Sequence, residues 1–493
     1  EQIVGLNGSA YQSGLSVMVW ETLAAIAMIV TALFLLPRYL KGGLTTVPQF
    51  LAKRFDVATK TGTSILFLSG YVVVLLPVIL YSGSVAISGM FNVPELLGVS
   101  SETGIVICVW GIGIIGAIYA VFGGLKAVAV SDSINAIGLL IGGILIPVLG
   151  LMAIGDGSMM EGLSIITTEN PEKFKSMGGP TDPVPFYTIF TGMMLVQLFY
   201  WGTNQQIIQR ALGAKNLVEG QKGLLLASFI KILGPLIVVL PGLIAYHMFN
   251  GSLENADEAY PMLVNKVLPA PLLGFFAAVL FGAILSSFNS VLNSSVTLFG
   301  IDIYKQHINP EADERTIVKY GKTFGIVLAI MAMFIAPFIA KAGSLFAYLQ
   351  EVNGIYSIPI LTIIVVGYTT KRVPAIAAKL GLVFGCLLYI ISQFFMQPYF
   401  VDSALASAAA AGVTDEAALA LVKAQAYPHF LDVMAILFVL NVVIMLIIGK
   451  IRPRETDYVQ AYTGQVDITP WKYVKQVGIT ICVIVIGVYI YFA

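Results

Sequence analysis

Gly223-LLLASFIKILGPLIVVLPGLIAYHMF-Asn250 decides how the rest of the chain is read, because Lys231 stands deep inside an otherwise apolar run. An ammonium at that depth costs roughly 2.5–3.5 kcal/mol on insertion scales, so it faces a partner or a wet cavity. The nearest complement is Glu21, the acid embedded in Gly14-LSVMVWETLAAIAMIVTALFL-Leu36. Two unlike charges in different spans imply a polar cavity between helices, where each meets the other or a solute. The plainer alternative is that Lys231 snorkels to the nearer interface.

Composition sets the class. The 493 residues are 58% hydrophobic and only 11% charged, with a mean hydropathy of +0.88; a soluble globule is excluded. A helical span needs about 20 apolar residues, and such runs fall near 14–36, 61–90, 104–122, 131–154, 186–204, 222–249, 271–300, 318–342, 344–370, 374–396, 428–449 and 473–492. The expectation is therefore an all-α polytopic membrane protein with twelve apolar runs, and no period-2 barrel pattern competes. Of the 27 Lys and Arg, 21 gather in alternate connections (38–60, Lys126, 210–222, 305–322, 371–379 and 450–475), which the positive-inside rule makes cytoplasmic. The intervening connections, 91–103, 155–185, 250–270, 341–343 and 397–427, are then external.

A net charge of zero argues against a nucleic-acid partner. Cys108, Cys386 and Cys482 are scattered through apolar runs, and His247, His307 and His429 stand near span ends, so neither a metal cluster nor a disulfide frame is indicated. No HExxH, Walker, paired-acid or Ser/His constellation lies inside the spans. The chain does not read as an enzyme.

Taken in order, residues 1–12 form a polar, Gly-containing fragment, read as the second half of an interrupted helix. Trp20 beside Glu21 offers an aromatic wall next to a carboxylate. Residues 38–60 predict a short cytoplasmic helix, Pro77 a kink in its span, and Gly123-Gly124 the end of the next. Asp132 follows at the cytoplasmic start of a span, either as a cap or as a guide for a cation. The 155–185 connection, with Gly178-Gly-Pro-Thr-Asp-Pro183, predicts an external cap with short helices. In Gln197-LFYWGTNQQIIQ-Arg210, Gln197 and Tyr200 share a helical face and, with Trp201, suit a ligand wall. Ser286, Ser290, Asn293 and Thr297 line one stripe of their helix, which serves close packing or, with carbonyls of a broken neighbour, a Na⁺ site. Asn353 and Gly354 predict an interruption after Gln350. The 397–427 connection is expected to carry an amphipathic external helix.

Several stretches together resemble the solute:sodium symporter family, its bacterial sodium/sugar branch most of all: Glu1-Gln2 with Gly5, Gly123-Gly-Leu-Lys-Ala-Val128 with Asp132, Tyr200-Trp-Gly-Thr-Asn-Gln-Gln-Ile-Ile-Gln-Arg210, Lys231, and Ser286-Ser287 with Asn293-Ser294. The resemblance runs from residue 1 to about 372 and loosens beyond. It implies a LeuT-type core of 5+5 inverted-repeat helices with additional peripheral helices. The first repeat would be 1–154, its first helix lacking the N-terminal half; an external loop at 155–185 and the second repeat at 186–370 would follow. The peripheral helices would be 371–493. By the same resemblance Gln2, Glu21, Lys231 and Gln350 contact the sugar, and Tyr200 gates it from below. The carbonyl of Ala283 and the hydroxyls of Ser286 and Ser287 hold sodium, Asp132 lies on the sodium exit path, and Phe346 is an outer gate. Three positions depart from the sugar pattern: Gln197 replaces an Asn, Trp20 a Tyr at the outer wall, and Ala24 a Ser. Gln keeps the Asn donor and acceptor types but reaches further into the cavity.

The inventory of three amides, one acid, one ammonium and stacking aromatics suits a neutral polyol better than an anion, and no Arg falls inside the twelve runs. The expected function is sodium-driven import of a hexose such as galactose or glucose across a bacterial inner membrane, with Na⁺, the sugar and the lipid bilayer as partners. A carboxylate, amino acid or vitamin on the same scaffold is the alternative. A channel is disfavoured, because broken helices around a central charge suit occlusion.

Overall fold

Lys231 Nζ lies 2.7 Å from both oxygens of Glu21 and 2.9 Å from Gln2 Oε1, and this dictates the path of the N-terminal segment. A straight helix rises about 1.5 Å per residue, so Gln2 and Glu21 would stand roughly 28 Å apart on one rod. One ammonium reaches both only because the chain doubles back. It does so at Gly14, whose φ is +82° and where the backbone of Lys173 leaves no room for a Cβ. Both constraints select glycine.

The computed structural model describes residues 2–342 and 345–493; within helices, the side chains of 121–131, 341, 342 and 347 lie outside the description. Glu1, Gly343 and Ser344 therefore fall outside it, as do the side chains of the Gly123–Val128 motif; the helix end expected at Gly123-Gly124 is not there, since the backbone is helical from Ser101 through Ile154, with α4 and α5 below as its two apolar spans.

Helices α1 (2–13) and α2 (14–41) flank the turn. They are followed by α3 Val57–Phe91, α4 Ser101–Ala120 and α5 Asp132–Ile154. Next come α6a Gly192–Gly202 and α6b Gln205–Leu212, then α7a Leu217–Ile232 and α7b Pro235–Met248. The series closes with α8 Ala270–Ile308, α9 Glu314–Ala340, α10 Leu345–Thr369, α11 Ala375–Ile391, α12 Phe430–Ile451 and α13 Val474–Tyr491. The connections expected to be external carry Met159–Glu169, Gln397–Ala410 and Glu416–Ala426, and the 42–56 loop, expected to be cytoplasmic, carries Val47–Arg54.

Among the described residues ten helices are long and apolar enough to cross a membrane, and the pair α7a/α7b, bent by 42°, makes an eleventh. The remaining expected run, 186–204, is not one helix. α6a has 11 residues, too short at 1.5 Å each to span about 30 Å of hydrocarbon, and α6b completes it after a break at Thr203-Asn204. Conversely, the interruption expected after Gln350 does not exist. α10 runs unbroken through Asn353 and Gly354, because Asn353 Oδ1 is taken by the Tyr356 hydroxyl and Gly354 makes room for the ring of Tyr389. Gly354 serves packing there, and Asn353 holds a hydrogen bond within the helix.

Local chemistry fixes the helix starts. Asp56, Asn216 and Asp313 each accept a backbone N–H in the first turn of the helix that follows, and Thr46 with Gln49 forms a capping box for Val47–Arg54; each cap contributes on the order of 1 kcal/mol. Prolines loosen the ladder: wide π turns at Tyr71–Leu75 and Pro235–Val239 adjoin Pro77 and Pro235. Outside the core, α12 packs on α10 and α11, while α13 lies along α2 and α7a, burying Ile29 and Leu225.

Candidate functional site

Three facing residues of α7a organise the centre. Gln221 Nε2 donates to Ala32 O at 3.0 Å and Ser228 Oγ to Ala25 O at 2.8 Å, so α7a is stapled along α2 with Lys231 on the same face. The Lys231–Glu21 pair that results is bidentate at 2.7 Å, with the lysine side chain 15% and the glutamate 3% exposed. Gly234 has no space for a Cβ because Glu21 lies against it; a side chain there would push the carboxylate off the ammonium. Asn7 Nδ2 donates to Val238 O at 3.0 Å and holds α1 on α7b, bringing Gln2 to the same ammonium.

Trp201 covers Lys231 with its ring centroid 5.3 Å from Nζ. Its Nε1 donates to Gln197 Oε1 at 3.1 Å, and Gln197 Nε2 in turn donates to Trp20 O at 3.0 Å. Trp20 meets Phe346 edge to face at 5.2 Å, a contact worth about 0.5–1.5 kcal/mol beyond its burial.

The break in α6 is clamped from three directions. Tyr39 Oη donates to Gly202 O at 2.9 Å; Tyr71 Oη donates to Asn204 Oδ1 at 2.7 Å and accepts from Gln206 N at 3.1 Å. Gln205 exchanges hydrogen bonds with the backbone of Thr45 and Val47. The polar groups freed by the break are thereby satisfied inside protein, the condition for irregular backbone at membrane depth.

Three cavities follow one another along this axis. An outer one of about 510 Å³ is walled by the Pro180–Pro183 stretch, Lys423 and Tyr427 on the side predicted external. An inner one of about 420 Å³ is walled by Ser82, Gln206, Arg210 and Ser290 on the opposite side. Between them is a waist of about 30 Å³, room for little more than water. Trp20, Phe346 and Gln350 border both the outer cavity and the waist, whereas Gln2, Tyr200 and Trp201 border both the waist and the inner cavity. Gln197 borders the waist. The Lys231–Glu21 pair sits behind Gln2 and Trp201 and reaches the cavities through them.

Ala283, Ser286 and Ser287 all border the inner cavity. Asp132 does more than expected of a cap or a guide: it accepts from Ser286 Oγ and, at 2.7 Å, from Arg210 Nη2, which also donates to Ser290 Oγ at 2.6 Å. Arg210, read in the sequence as a connection charge, stands on α6b and borders the inner cavity. Trp201, Asn204, Tyr71 and Tyr39 were not anticipated in these roles. For Asn204 a signal was present: Asn before Gln-Gln is a helix N-cap pattern, and its Oδ1 accepts from Gln206 N at 3.1 Å.

The family model described as "Sodium:solute symporter family" matches residues 1–385. The chain is 46% identical over 490 residues to the Uncharacterized symporter YidK of Escherichia coli K12, covering 99% of this chain and 81% of that one. It is 33% identical over 406 residues to a sodium/glucose cotransporter of Vibrio parahaemolyticus, covering 78% and 73%. Among solved structures, a Na⁺-coupled sialic acid symporter in a substrate-bound outward-open state superposes with a TM-score of 0.73 at 18% identity, over 92% of this chain and 88% of that one. The shared architecture is the LeuT-type helical core with additional helices.

Proposed function

The chain belongs to the sodium:solute symporter family, and from that premise we propose that it imports a neutral sugar, a hexose such as galactose or glucose, by sodium-driven alternating access across a bacterial inner membrane. The observation that carries this reading is the closed waist between two large cavities, bordered by amides and aromatic rings and backed by an ammonium already neutralised by its own carboxylate. A bidentate Glu21 leaves Lys231 little net charge to offer an anion, while the pair still presents a donor and acceptors to hydroxyl groups. A carboxylate solute would need the pair broken first.

In this scheme Gln2, Glu21, Gln197, Lys231 and Gln350 bind the sugar. Tyr200 is the inner gate and Trp20 with Phe346 the outer one, which their position between successive cavities supports. Sodium is held by Ala283 through its carbonyl and by the Ser286 and Ser287 hydroxyls, oxygen donors that suit a hard cation. Asp132, bonded to Ser286, lies on its exit path, with Arg210 competing for the same carboxylate. Sodium favours the outward-open form, the sugar closes it, and sodium loss to the inside frees Tyr200. We assign 1–154 and 186–370 to the two inverted repeats, 155–185 and 397–427 to external loops, and 371–493 to the periphery. The break at Thr203-Asn204, in the first helix of the second repeat, is consistent with that division.

The driving force suffices. One Na⁺ crossing ~100 mV yields about 2.3 kcal/mol, and a tenfold gradient adds roughly 1.4 kcal/mol, enough for an accumulation of several hundred-fold. The test is uptake of labelled galactose and glucose into proteoliposomes under an inward Na⁺ gradient, with K⁺ as control. We expect Na⁺-dependent uptake that disappears in Lys231→Ala and Ser287→Ala. Competition by carboxylates but not hexoses would refute the sugar reading and leave the scaffold intact.

A further inference from the structure

Helix α10 faces the waist with more than Gln350. Asn353 and Ser357 follow at helical spacing on the same face, and both border the waist. Ser357 is 1% exposed, and its hydroxyl has no hydrogen-bond partner. That is unusual within this helix. Thr362, Thr369 and Thr370 each return their hydroxyl to the carbonyl four residues back, at 2.6–2.8 Å, and Ser290 and Ser295 do the same on α8. Ser357 makes no such bond to Asn353. A buried hydroxyl left without its easiest partner is a cost in the empty protein that a ligand can remove.

Asn353 is complementary. Its Oδ1 accepts the Tyr356 hydroxyl, so its amide N–H groups remain for the waist. The pair therefore offers fixed donors from Asn353 and, one turn further toward the cytoplasmic end, a hydroxyl that both donates and accepts. Opposite them stand Gln197 and Tyr200 of α6a.

Resting on the sugar reading above, we propose that Ser357, with Asn353 beside it, is a further solute contact that recognises a hydroxyl on the inward edge of a neutral polyhydroxylated ring. Gln350 and Gln197 hold the outward part, and Ser357 decides between solutes that carry that inner hydroxyl and those that lack it. A site built to bond a hydroxyl rejects analogues without it far more sharply than an apolar pocket does.

The experiment measures Na⁺-driven uptake of labelled D-galactose, D-glucose and myo-inositol, each with its series of monodeoxy competitors. The full chain, Ser357→Ala and Ser357→Thr are compared, and the melting temperature of each is recorded. Ser357→Ala is expected to raise KM about tenfold for the transported ring, with kcat and melting temperature little changed. It should leave unchanged the affinity for one deoxy analogue, the one missing the recognised hydroxyl. Ser357→Thr, which keeps the hydroxyl, should restore most of the affinity. An unchanged KM in Ser357→Ala, or a loss equal for every deoxy analogue, overturns the contact while the sugar reading stands. If the unsubstituted protein takes up none of the three rings, the sugar reading falls and this inference with it.

Discussion

Among the described residues two buried lysine–carboxylate pairs occur, and they are built differently. Where the N-terminal end of α3 meets the C-terminal end of α8, Lys60 lies 3.1 Å from Asp302, with side chains 6% and 0% exposed. Asp302 also accepts from Thr46 and Ser64, and Lys60 donates to Gln306 as well. That carboxylate is saturated, and neither partner borders any of the three cavities. Lys231 and Glu21 are closer, at 2.7 Å, but the ammonium is partly exposed and its third partner is Gln2, a cavity residue. On the function proposed above, like chemistry serves as scaffold where every bond is closed and as a binding element where a bond leads to a cavity.

The largest effect expected from breaking this contrast is on folding. Asp302→Ala strands an ammonium and two hydroxyl donors and should cost about 3–5 kcal/mol of stability. It would be read as a strongly lowered melting temperature in detergent, with near-normal uptake per folded molecule. A variant that melts normally but has lost sodium-driven uptake would move Asp302 from scaffold to mechanism. Glu21→Gln should behave in the opposite way: Lys231 keeps Gln2 and some solvent, so melting shifts less. Uptake should fall about 100-fold, equivalent to ~2.7 kcal/mol of transition-state stabilisation. Equal losses of stability in the two variants would erase the distinction.

A third buried carboxylate sharpens the contrast with the smallest effect. Asp257, in the 250–270 connection, forms no salt bridge among the described residues. Burial raises its pKa to about 7; a backbone hydrogen bond from Leu345 opposes the rise and the neighbouring Glu258 adds to it. In the folded chain it holds its proton at pH values where the unfolded chain has released it. Stability of this packing therefore falls as pH rises from about 4 toward 7 and is flat beyond. Protection factors in 250–270, with intrinsic exchange divided out at each pH, should be severalfold higher at pH 5.5 than at pH 8, and Asp257→Asn should flatten that dependence.

Much of this was legible from residue types. Lys231 demanded a partner and Glu21 was the one acid at matching depth, so the pair was foreseeable across the intervening chain, because the penalty for an unpaired charge in hydrocarbon leaves few solutions. Of the residues that border the waist, Gln2, Tyr200, Phe346 and Gln350 were named through the resemblance, whereas Asn353 and Ser357 were not named there. What misled was glycine. Gly354 beside Asn353 has the composition of a break, yet its missing Cβ makes room for Tyr389 from α11, a neighbour that only the folded arrangement supplies. The true break at Thr203-Asn204 has no glycine or proline after Gly202 and is announced by a cap. Arg210's place on the wall of the inner cavity escaped because a hydropathy window stops where polarity begins, whereas the helix after the break carries the chain on to that wall.

Sharing of walls between cavities has a consequence for how such a carrier changes its cargo. Trp20, Phe346 and Tyr200 each belong to two compartments, so reshaping any of them for a new solute also alters a seal, and variants there should trade selectivity against leak. Asn353, Ser357 and Gln197 border the waist alone among the three cavities. Evolution, or an engineer, can rewrite those positions without loosening either door, and the diversity of solutes carried on one scaffold is expected to be written there first.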